Sequence, residues 1–168
     1  MLLATSDAWL KTVDGRDDLE VLGGHHPEEA VFSFKDNRIA AFNTFKVLIG
    51  QTSASNLREF ELLIANDSPT GPFKSIGRFL TQNTTLLADP YQQFKFAPTT
   101  SRYLKVRLIS NHNGYDSAFE VREFQLLGKL VPASGRRGDP GVVRFMDGVR
   151  IYSGIIHTFG RTFTLSRT

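Results

Sequence analysis

Two polar segments of the chain combine side chains that suit ligand recognition. The first, residues 110–116, contains Asn111, His112, Asn113 and Tyr115. A tyrosine ring offers an apolar face to the C–H side of a pyranose, while planar amides and imidazoles pair with its hydroxyl groups. The mixture predicts a sugar-binding loop. The alternative interpretation is that Asn113-Gly114 simply forms a favoured turn in a solvated loop.

The second segment, residues 23–29, contains two adjacent histidines followed by two adjacent glutamates. His25, His26, Glu28 and Glu29 have the donor types of a metal site. Neighbouring side chains of an extended segment point in opposite directions, so consecutive histidines rarely bind one ion without a bent backbone. We therefore interpret the segment as a polar surface loop. His25 and His26 remain candidate ligand-binding residues.

Catalytic patterns are missing from the sequence. The chain has no cysteine, which excludes disulfides, thiolate metal sites and a cysteine nucleophile. No G-x-S-x-G, H-E-x-x-H or P-loop pattern occurs. The acidic pairs Asp17-Asp18 and Glu28-Glu29 are sequence neighbours, which does not show two carboxylates facing one substrate. We expect a protein that binds and does not catalyse.

The elements that must position these loops are predicted to be strands. Residues 58–79 alternate in hydrophobicity, break at the turn-forming segment 66–72 and resume, as in a hairpin. Other segments are apolar or alternating: 30–34, 39–50, 92–96 (ending at Pro98), 103–109 and 119–127. One short helical turn is predicted near residues 27–29. Short strands joined by Gly, Pro, Asn and Asp turns predict an all-β, antiparallel sandwich.

Five segments in order carry a resemblance to a known family. They are TVDG at 12–15, AVFSFKDNRIAAFNTFKVLI at 30–49, REFELLIANDSPTGPFKSIGRF at 58–79, TTSRYLKVRLISN at 99–111 and FEVREFQLLG at 119–128. Together they resemble the discoidin-like (coagulation factor C-type) domains and the galactose-binding-like carbohydrate-binding modules. The resemblance covers residues 1–128 and implies a jelly-roll-like β-sandwich. In that family a Trp often follows the Asp-Gly turn, whereas residues 16–22 of this chain contain none.

The resemblance also implies where ligands bind. Domains of this family bind surfaces and sugars through loops at one end of the sandwich, which supports both loops described above. Many relatives hold a structural Ca²⁺ between the Asp-Gly turn and the final strand. Carried over, Asp14 and Glu123 would supply oxygen donors, with a contribution from Asp17 or Asp18 and from backbone carbonyls. The alternative is that Asp14 caps a turn and Glu123 pairs with an arginine.

The basic character of the chain lies in its last forty residues. Residues 129–168 contain seven Lys and Arg against two Asp and Glu, whereas the preceding residues contain thirteen against fifteen. Residues 129–141 read as a Gly/Pro linker. In residues 142–168, Asp147-Gly148 between alternating segments predicts a basic β-hairpin, either an arm or the start of a further domain. Within the linker, Arg137-Gly138-Asp139 matches an integrin-binding tripeptide, a pattern short enough to occur by chance.

Two functions follow from the sequence. The first is a module that binds a carbohydrate or cell-surface ligand. The second is a structural or adaptor subunit of a larger tail-like or surface assembly, whose residues 142–168 dock on a neighbouring subunit or form a homo-oligomer. Nucleic-acid binding is not indicated, because a basic groove with interleaved aromatic residues is lacking. No membrane span or signal peptide is expected, and an extracellular or particle-surface location is favoured.

Overall fold

The computed structural model describes residues 8–23, 27–84, 86–87, 89–132, 149–153 and 161–163, the last two ranges as backbone alone. Residues 8–11 form one helical turn, and Lys35–Asn37 form a 3-10 turn. None of the helical segments in these ranges is long and apolar enough to cross a membrane. The strands are β1 (Glu20–Leu22), β2 (Glu28–Ser33), β3 (Ala40–Leu48), β4 (Leu57–Ala65), β5 (Lys74–Leu80), β6 (Tyr91–Ser101), β7 (Tyr103–Asn111), β8 (Phe119–Val121), β9 (Glu123–Leu130), β10 (Val149–Ser153) and β11 (Arg161–Phe163).

The strands form two facing layers with a small third sheet. One layer has the order β11-β10-β2-β7-β4-β5 and the other the order β6-β3-β9, while β1 pairs with β8. Each pair among the described strands is antiparallel. The predicted all-β, antiparallel sandwich is therefore confirmed.

Aromatic side chains from both layers fill the core. Phe45 of β3 meets Phe60 of β4 with ring centroids 5.5 Å apart, and Phe94 of β6 meets Phe60 edge-on at 5.1 Å. Trp9, fully buried, stacks on Phe124 at 5.9 Å. Each buried aromatic side chain stabilises the fold by about 2–3 kcal/mol through the hydrophobic effect. The loops of the sandwich are thus supported by a rigid body.

The hairpin of β4 and β5 confirms the predicted turn, but the buried surface of β4 differs from the prediction. Alternation placed one face of β4 on the core, whereas both faces are largely buried, because Glu61 and Leu63 are only 6% and 7% exposed. A row of charges covers the outer face, and we call it the charge row: Glu29, Arg107, Glu61 and Arg78. Arg107 Nε lies 2.8 Å from a carboxylate oxygen of Glu29, and Arg107 Nη1 lies 3.4 Å from one of Glu61. Arg78 Nε lies 3.4 Å from the other carboxylate oxygen of Glu61. These residues are direct cross-strand partners, which brings opposite charges together.

The prediction that a strand stops at Pro98 was wrong. β6 continues to Ser101, and its pairing with β3 shifts register between Phe42 and Thr44. Pro98 lies in the part of β6 that this irregularity leaves unpaired. Because β6 is an edge strand, a residue without an N–H is tolerated there.

Two further predictions were wrong in detail. Residues 119–127 do not form one strand, since Arg122 separates β8 from β9 and the two strands belong to different sheets. The backbone N–H of Arg122 donates to Leu48 O, which turns the chain from one sheet to the other. No helical turn forms near 27–29, because Glu28 and Glu29 already pair with β7.

In the C-terminal segment, β10 pairs with β11 on one side and with β2 on the other. This adds two strands to the edge of the larger sheet. The predicted Asp147-Gly148 turn, residues 142–146 and the tripeptide at 137–139 lie outside the described residues. The division into a sandwich, a linker and an arm stays a prediction.

Candidate functional site

Strand pairing brings the two predicted loops to the same end of the sandwich. Leu22, at the end of β1, faces Phe119, at the start of β8. The next residue, Gly23, approaches the backbone of the other loop so closely that a Cβ there would lie 3.1 Å from Ala118 N. The candidate residues His25 and His26 lie outside the described residues.

Asn111 organises the loop between β7 and β8. Its side chain is buried, and its Oδ1 accepts hydrogen bonds from the backbone N–H groups of Asn113 and Tyr115, both at 3.0 Å. Its Nδ2 donates to Ser117 O at 3.1 Å and lies 3.4 Å from Ala118 O. Because one amide bonds four backbone groups, the loop has a defined shape, and Asn111 has little capacity left for a ligand.

His112 is partly buried, with one ring nitrogen fixed. Its Nε2 lies 2.9 Å from the hydroxyl of Thr81, and that hydroxyl donates its single proton to Leu57 O. Nε2 must therefore carry the hydrogen, which leaves Nδ1 as an acceptor. Burial, and secondarily the charge of Arg58, lowers the pKa of His112 below its usual value of 6.5. The imidazole is thus mostly neutral at physiological pH.

Tyr115 projects from a fixed backbone. Its N–H donates to Asn111 Oδ1, and its carbonyl accepts from Asn111 N at 2.8 Å. The side chain is nevertheless 63% exposed. An exposed aromatic ring on an ordered loop has little conformational entropy to lose on binding, which favours its use as a contact surface.

Two asparagines that the sequence analysis did not select support this end. The buried Asn56 donates through Nδ2 to Gln51 O and to Asn83 Oδ1, both at 2.9 Å. Its Oδ1 is buried without a hydrogen-bond partner. Nothing in the local sequence links Asn83 to Asn56. Their juxtaposition depends on the fold.

The residues proposed for calcium lie near one another. Glu123 is fully buried; Gly15 N donates to its Oε1 at 3.3 Å, and its Oε2 has no partner. Burial first, and then the charges of Asp14 and Asp17, raises the pKa of Glu123 to about 9, although the Gly15 N–H opposes the shift. A cation or a proton would satisfy this carboxylate. The described residues contain no group of three or more His, Cys, Asp or Glu placed around one ion, so backbone carbonyls would have to complete the set.

The glutamates after the two histidines face opposite sides of the sheet. Glu28 is buried and accepts a hydrogen bond from Trp9 Nε1 at 2.8 Å. Glu29 lies on the outer face, 3.3 Å from Lys105 Nζ and 2.8 Å from Arg107 Nε. Both carboxylates therefore have partners within the domain. The interpretation of this segment as a polar surface loop is wrong for Glu28 and Glu29, because both belong to β2 and Glu28 is buried.

Comparison with known proteins shows where this fold occurs. No family model matches the chain, and no curated protein matches it significantly. Among solved structures, the C-terminal domain of a chitobiase from Bacteroides fragilis is 17% identical, with a TM-score of 0.58 over 73% of this chain and 81% of that one. CBM32-3 from a family 31 glycoside hydrolase of Clostridium perfringens is 15% identical, with a TM-score of 0.56 over 71% and 81%.

A third structure includes a bound sugar. CpGH89CBM32-5 from Clostridium perfringens, in complex with GalNAc-β-1,3-galactose, is 15% identical, with a TM-score of 0.53 over 69% of this chain and 80% of that one. At these identities the likeness establishes a shared fold. The predicted resemblance to the galactose-binding-like modules is thus confirmed at the level of the fold.

Proposed function

We propose that this chain is a non-catalytic glycan-binding module. It would contact its ligand through the end of the sandwich that carries residues 110–116. Tyr115 provides the platform for a sugar ring, and His112 Nδ1 and the exposed side chain of Asn113 bond hydroxyl groups. His25 and His26 would approach from the other loop, while Asn111 holds the loop in shape.

The observation that carries this proposal is the exposed Tyr115 ring on a loop fixed by Asn111, close in sequence to a neutral imidazole. Aromatic faces and neutral polar groups suit an uncharged, hydroxyl-rich ligand. The shared fold adds support, since solved modules with this fold include one in complex with GalNAc-β-1,3-galactose.

Calcium binding belongs to the proposal as a structural element. Glu123 Oε2 would be the buried anchoring ligand, Asp14 the second carboxylate, and backbone carbonyls the remainder. A divalent cation there would supply charge compensation. The carboxylates of Glu123 and Asp14 would then hold the Asp-Gly turn against β9.

The test is a galactose and glycan-array titration of the wild type, Tyr115→Ala and Tyr115→Phe. We expect Tyr115→Ala to weaken binding about tenfold or more, because the stacking face is lost. Tyr115→Phe, the matched control, keeps the ring and should retain most of the affinity. Lack of binding by the wild type, or equal binding by Tyr115→Ala, would refute this site.

A second candidate function is a structural subunit of a larger assembly. It is favoured by one observation, the pairing of β10 with β2 at the side that β7 leaves open. In an assembly, β10 of a neighbouring chain would take this position by strand exchange. Light scattering of the full chain and of a variant lacking residues 129–168 tests this candidate. Oligomers that disappear on deletion would support it, and a monomer in both cases would count against it.

A further inference from the structure

A groove lies beside the proposed glycan site, between the end of β5 and the start of β6. These are edge strands of the two facing layers. The open volume is about 330 Å³, within the usual range of small-ligand pockets. Its lining residues are Leu80, Gln82, Leu87, Asp89, Tyr91, Gln92, Gln93 and Phe94. None of them belongs to the glycan site proposed above.

The apolar part of the groove is anchored in the core. Phe94 packs edge-on against Phe60 at 5.1 Å and against Phe79 at 5.6 Å. Leu80, by contrast, is 54% exposed. The groove therefore combines a rigid apolar base with an open apolar lip, and covering this lip would remove apolar surface from water.

Hydrogen bonds between the two walls preform the groove. Gln92 Oε1 accepts from Gln82 N and Gln92 Nε2 donates to Gln82 O, both at 2.7 Å. Both polar atoms of the Gln92 side chain are therefore used in bonds between the walls. The exposed side chain of Gln82 and Oε1 of Gln93 have no partner among the described residues, which leaves an amide and a carbonyl for a ligand.

Asp89 and Tyr91 provide the strongest polar contacts. Asp89 accepts from Tyr91 N at 2.9 Å and from Gln93 Nε2 at 3.2 Å, and these two bonds lower its pKa, so that it stays ionised. Lys46 Nζ lies 4.0 Å from Asp89 Oδ2 and 5.9 Å from the centre of the half-buried Tyr91 ring. Burial first, then the charges of Glu123, Asp17 and Asp89, raises the pKa of Tyr91 to about 12. Its hydroxyl therefore remains a donor.

The groove is connected to the proposed glycan site through its own wall. Thr81, whose hydroxyl bonds His112, directly precedes Gln82. Asn83, the next residue, bonds Asn56 and Ser53 N at the same end of the sandwich. The groove and the proposed glycan site are therefore joined by one segment, residues 81–83.

We propose that this groove is a second saccharide subsite, which binds a further neutral or N-acetylated sugar ring of the same glycan chain. The inference depends on the proposed function and deepens it from a monosaccharide to an oligosaccharide ligand. Tyr91, Leu80 and Leu87 contact the C–H faces of the ring, and Gln82, Gln93 and Asp89 pair with its hydroxyl or amide groups. The ionised Asp89 disfavours an acidic sugar.

The experiment is a titration with galactose, GalNAc-β-1,3-galactose and longer neutral or sialylated oligosaccharides from a glycan array. We expect the preferred neutral oligosaccharide to bind about tenfold more tightly than galactose. Tyr91→Ala and Leu87→Ala should each remove most of that gain and leave galactose affinity unchanged. Lys74→Ala, an exposed change at the start of β5 and thus at the opposite end, is the matched control. Thermal melts of each variant check that it folds.

Each outcome separates the two proposals. Suppose that galactose binding depends on Tyr115 but no oligosaccharide binds more tightly than galactose. The subsite is then overturned and the proposed glycan-binding function remains. The same conclusion follows if the gain in affinity for an oligosaccharide survives Tyr91→Ala and Leu87→Ala. No binding of any glycan overturns both. A sialylated chain that binds more tightly than its neutral counterpart through Tyr91, or a dimer that Tyr91→Ala dissociates, also overturns the subsite.

Discussion

The outer face of the larger sheet and the loop-bearing end of the sandwich are both polar, yet they differ in how their polar groups are satisfied. In the charge row, Glu61 is almost fully buried and accepts from Ser75, Arg78 and Arg107. At the loop-bearing end, Glu123 Oε2 and Asn56 Oδ1 are buried without partners. The comparison teaches that charge density does not mark a site in this protein. A buried unpaired group is costly unless something binds it, so Glu123 Oε2 and Asn56 Oδ1 are candidate contact points at this end, although Arg38 Nε is also buried without a partner, beside Val131.

The largest expected effect comes from the residue that shapes the recognition loop. Asn111→Ala leaves several buried backbone groups without partners, and should lower the free energy of unfolding by about 3 kcal/mol. It should also abolish galactose binding, since Tyr115 loses its fixed backbone. Urea denaturation and a galactose titration measure the two effects. Asn113→Ala, an exposed neighbour, should change stability by less than about 0.5 kcal/mol, and an equal loss in both variants would contradict this role for Asn111.

The charge row should affect stability without affecting binding. Glu61→Ala removes the partner that Arg107 and Arg78 share, and we expect a loss of about 2 kcal/mol in urea denaturation. Glu59→Ala, whose carboxylate is 4.0 Å from the largely exposed Arg78, should cost less than about 0.5 kcal/mol. Galactose affinity should match that of the wild type in both variants. A reduced galactose affinity of Glu61→Ala would contradict the conclusion that the charge row affects stability alone.

Glu123 should make stability depend on pH in the opposite sense from an ion-paired carboxylate. Its folded-state pKa, about 9, exceeds the ordinary glutamate pKa of 4.5, so between these limits the folded protein holds a proton that the unfolded chain releases. Stability should therefore fall as pH rises through this window, by at most about 1.4 kcal/mol per pH unit in EDTA. Calcium should restore stability at the alkaline side by binding the ionised form.

Glu123→Gln is the matched variant, because it cannot ionise. Its melting temperature in EDTA should lack this pH-dependent component, and calcium should not raise it. Identical pH profiles for the wild type and Glu123→Gln would show that Glu123 does not titrate in this window. If calcium still raises the melting temperature of Glu123→Gln, the ion does not bind at Glu123.

His112 should produce the smallest effect. Because its folded pKa lies below 6.5, its contribution to stability is present above that value and is lost as pH falls through the folded pKa. Protonation would also convert Nδ1 from an acceptor to a donor, so galactose affinity should be constant near neutral pH and decline on acidification. Titrations of the wild type and His112→Ala across this range measure the change. If galactose affinity changes with pH in the same way in both proteins, His112 does not contact the ligand.

Most of the architecture could be predicted because alternation of apolar residues is a local property. The hairpin of β4 and β5, the long strands β3 and β7 and the general position of the two loops follow from period-two patterns and turn residues. The break at Arg122 had a local signal that the prediction overlooked. Within residues 119–127, the buried apolar residues are at odd positions up to Val121 and at even positions from Phe124 onward. Because side chains alternate between the two faces of a strand, a single strand cannot place both sets on the same face.

The sequence by itself determined that His112, Asn113 and Tyr115 lie in a polar loop between strands, because turn chemistry depends on neighbouring residues. Asn111, predicted for the same loop, is the last residue of β7. Only the tertiary structure decided their roles. The buried Asn111 side chain forms hydrogen bonds with the loop backbone. Contact with the Thr81 hydroxyl determines which ring nitrogen of His112 carries the hydrogen. Glu123 and Asp14 are distant in sequence, and their proximity depends on strand pairing. Long-range contacts of this kind depend on how the layers pack, which no local pattern encodes.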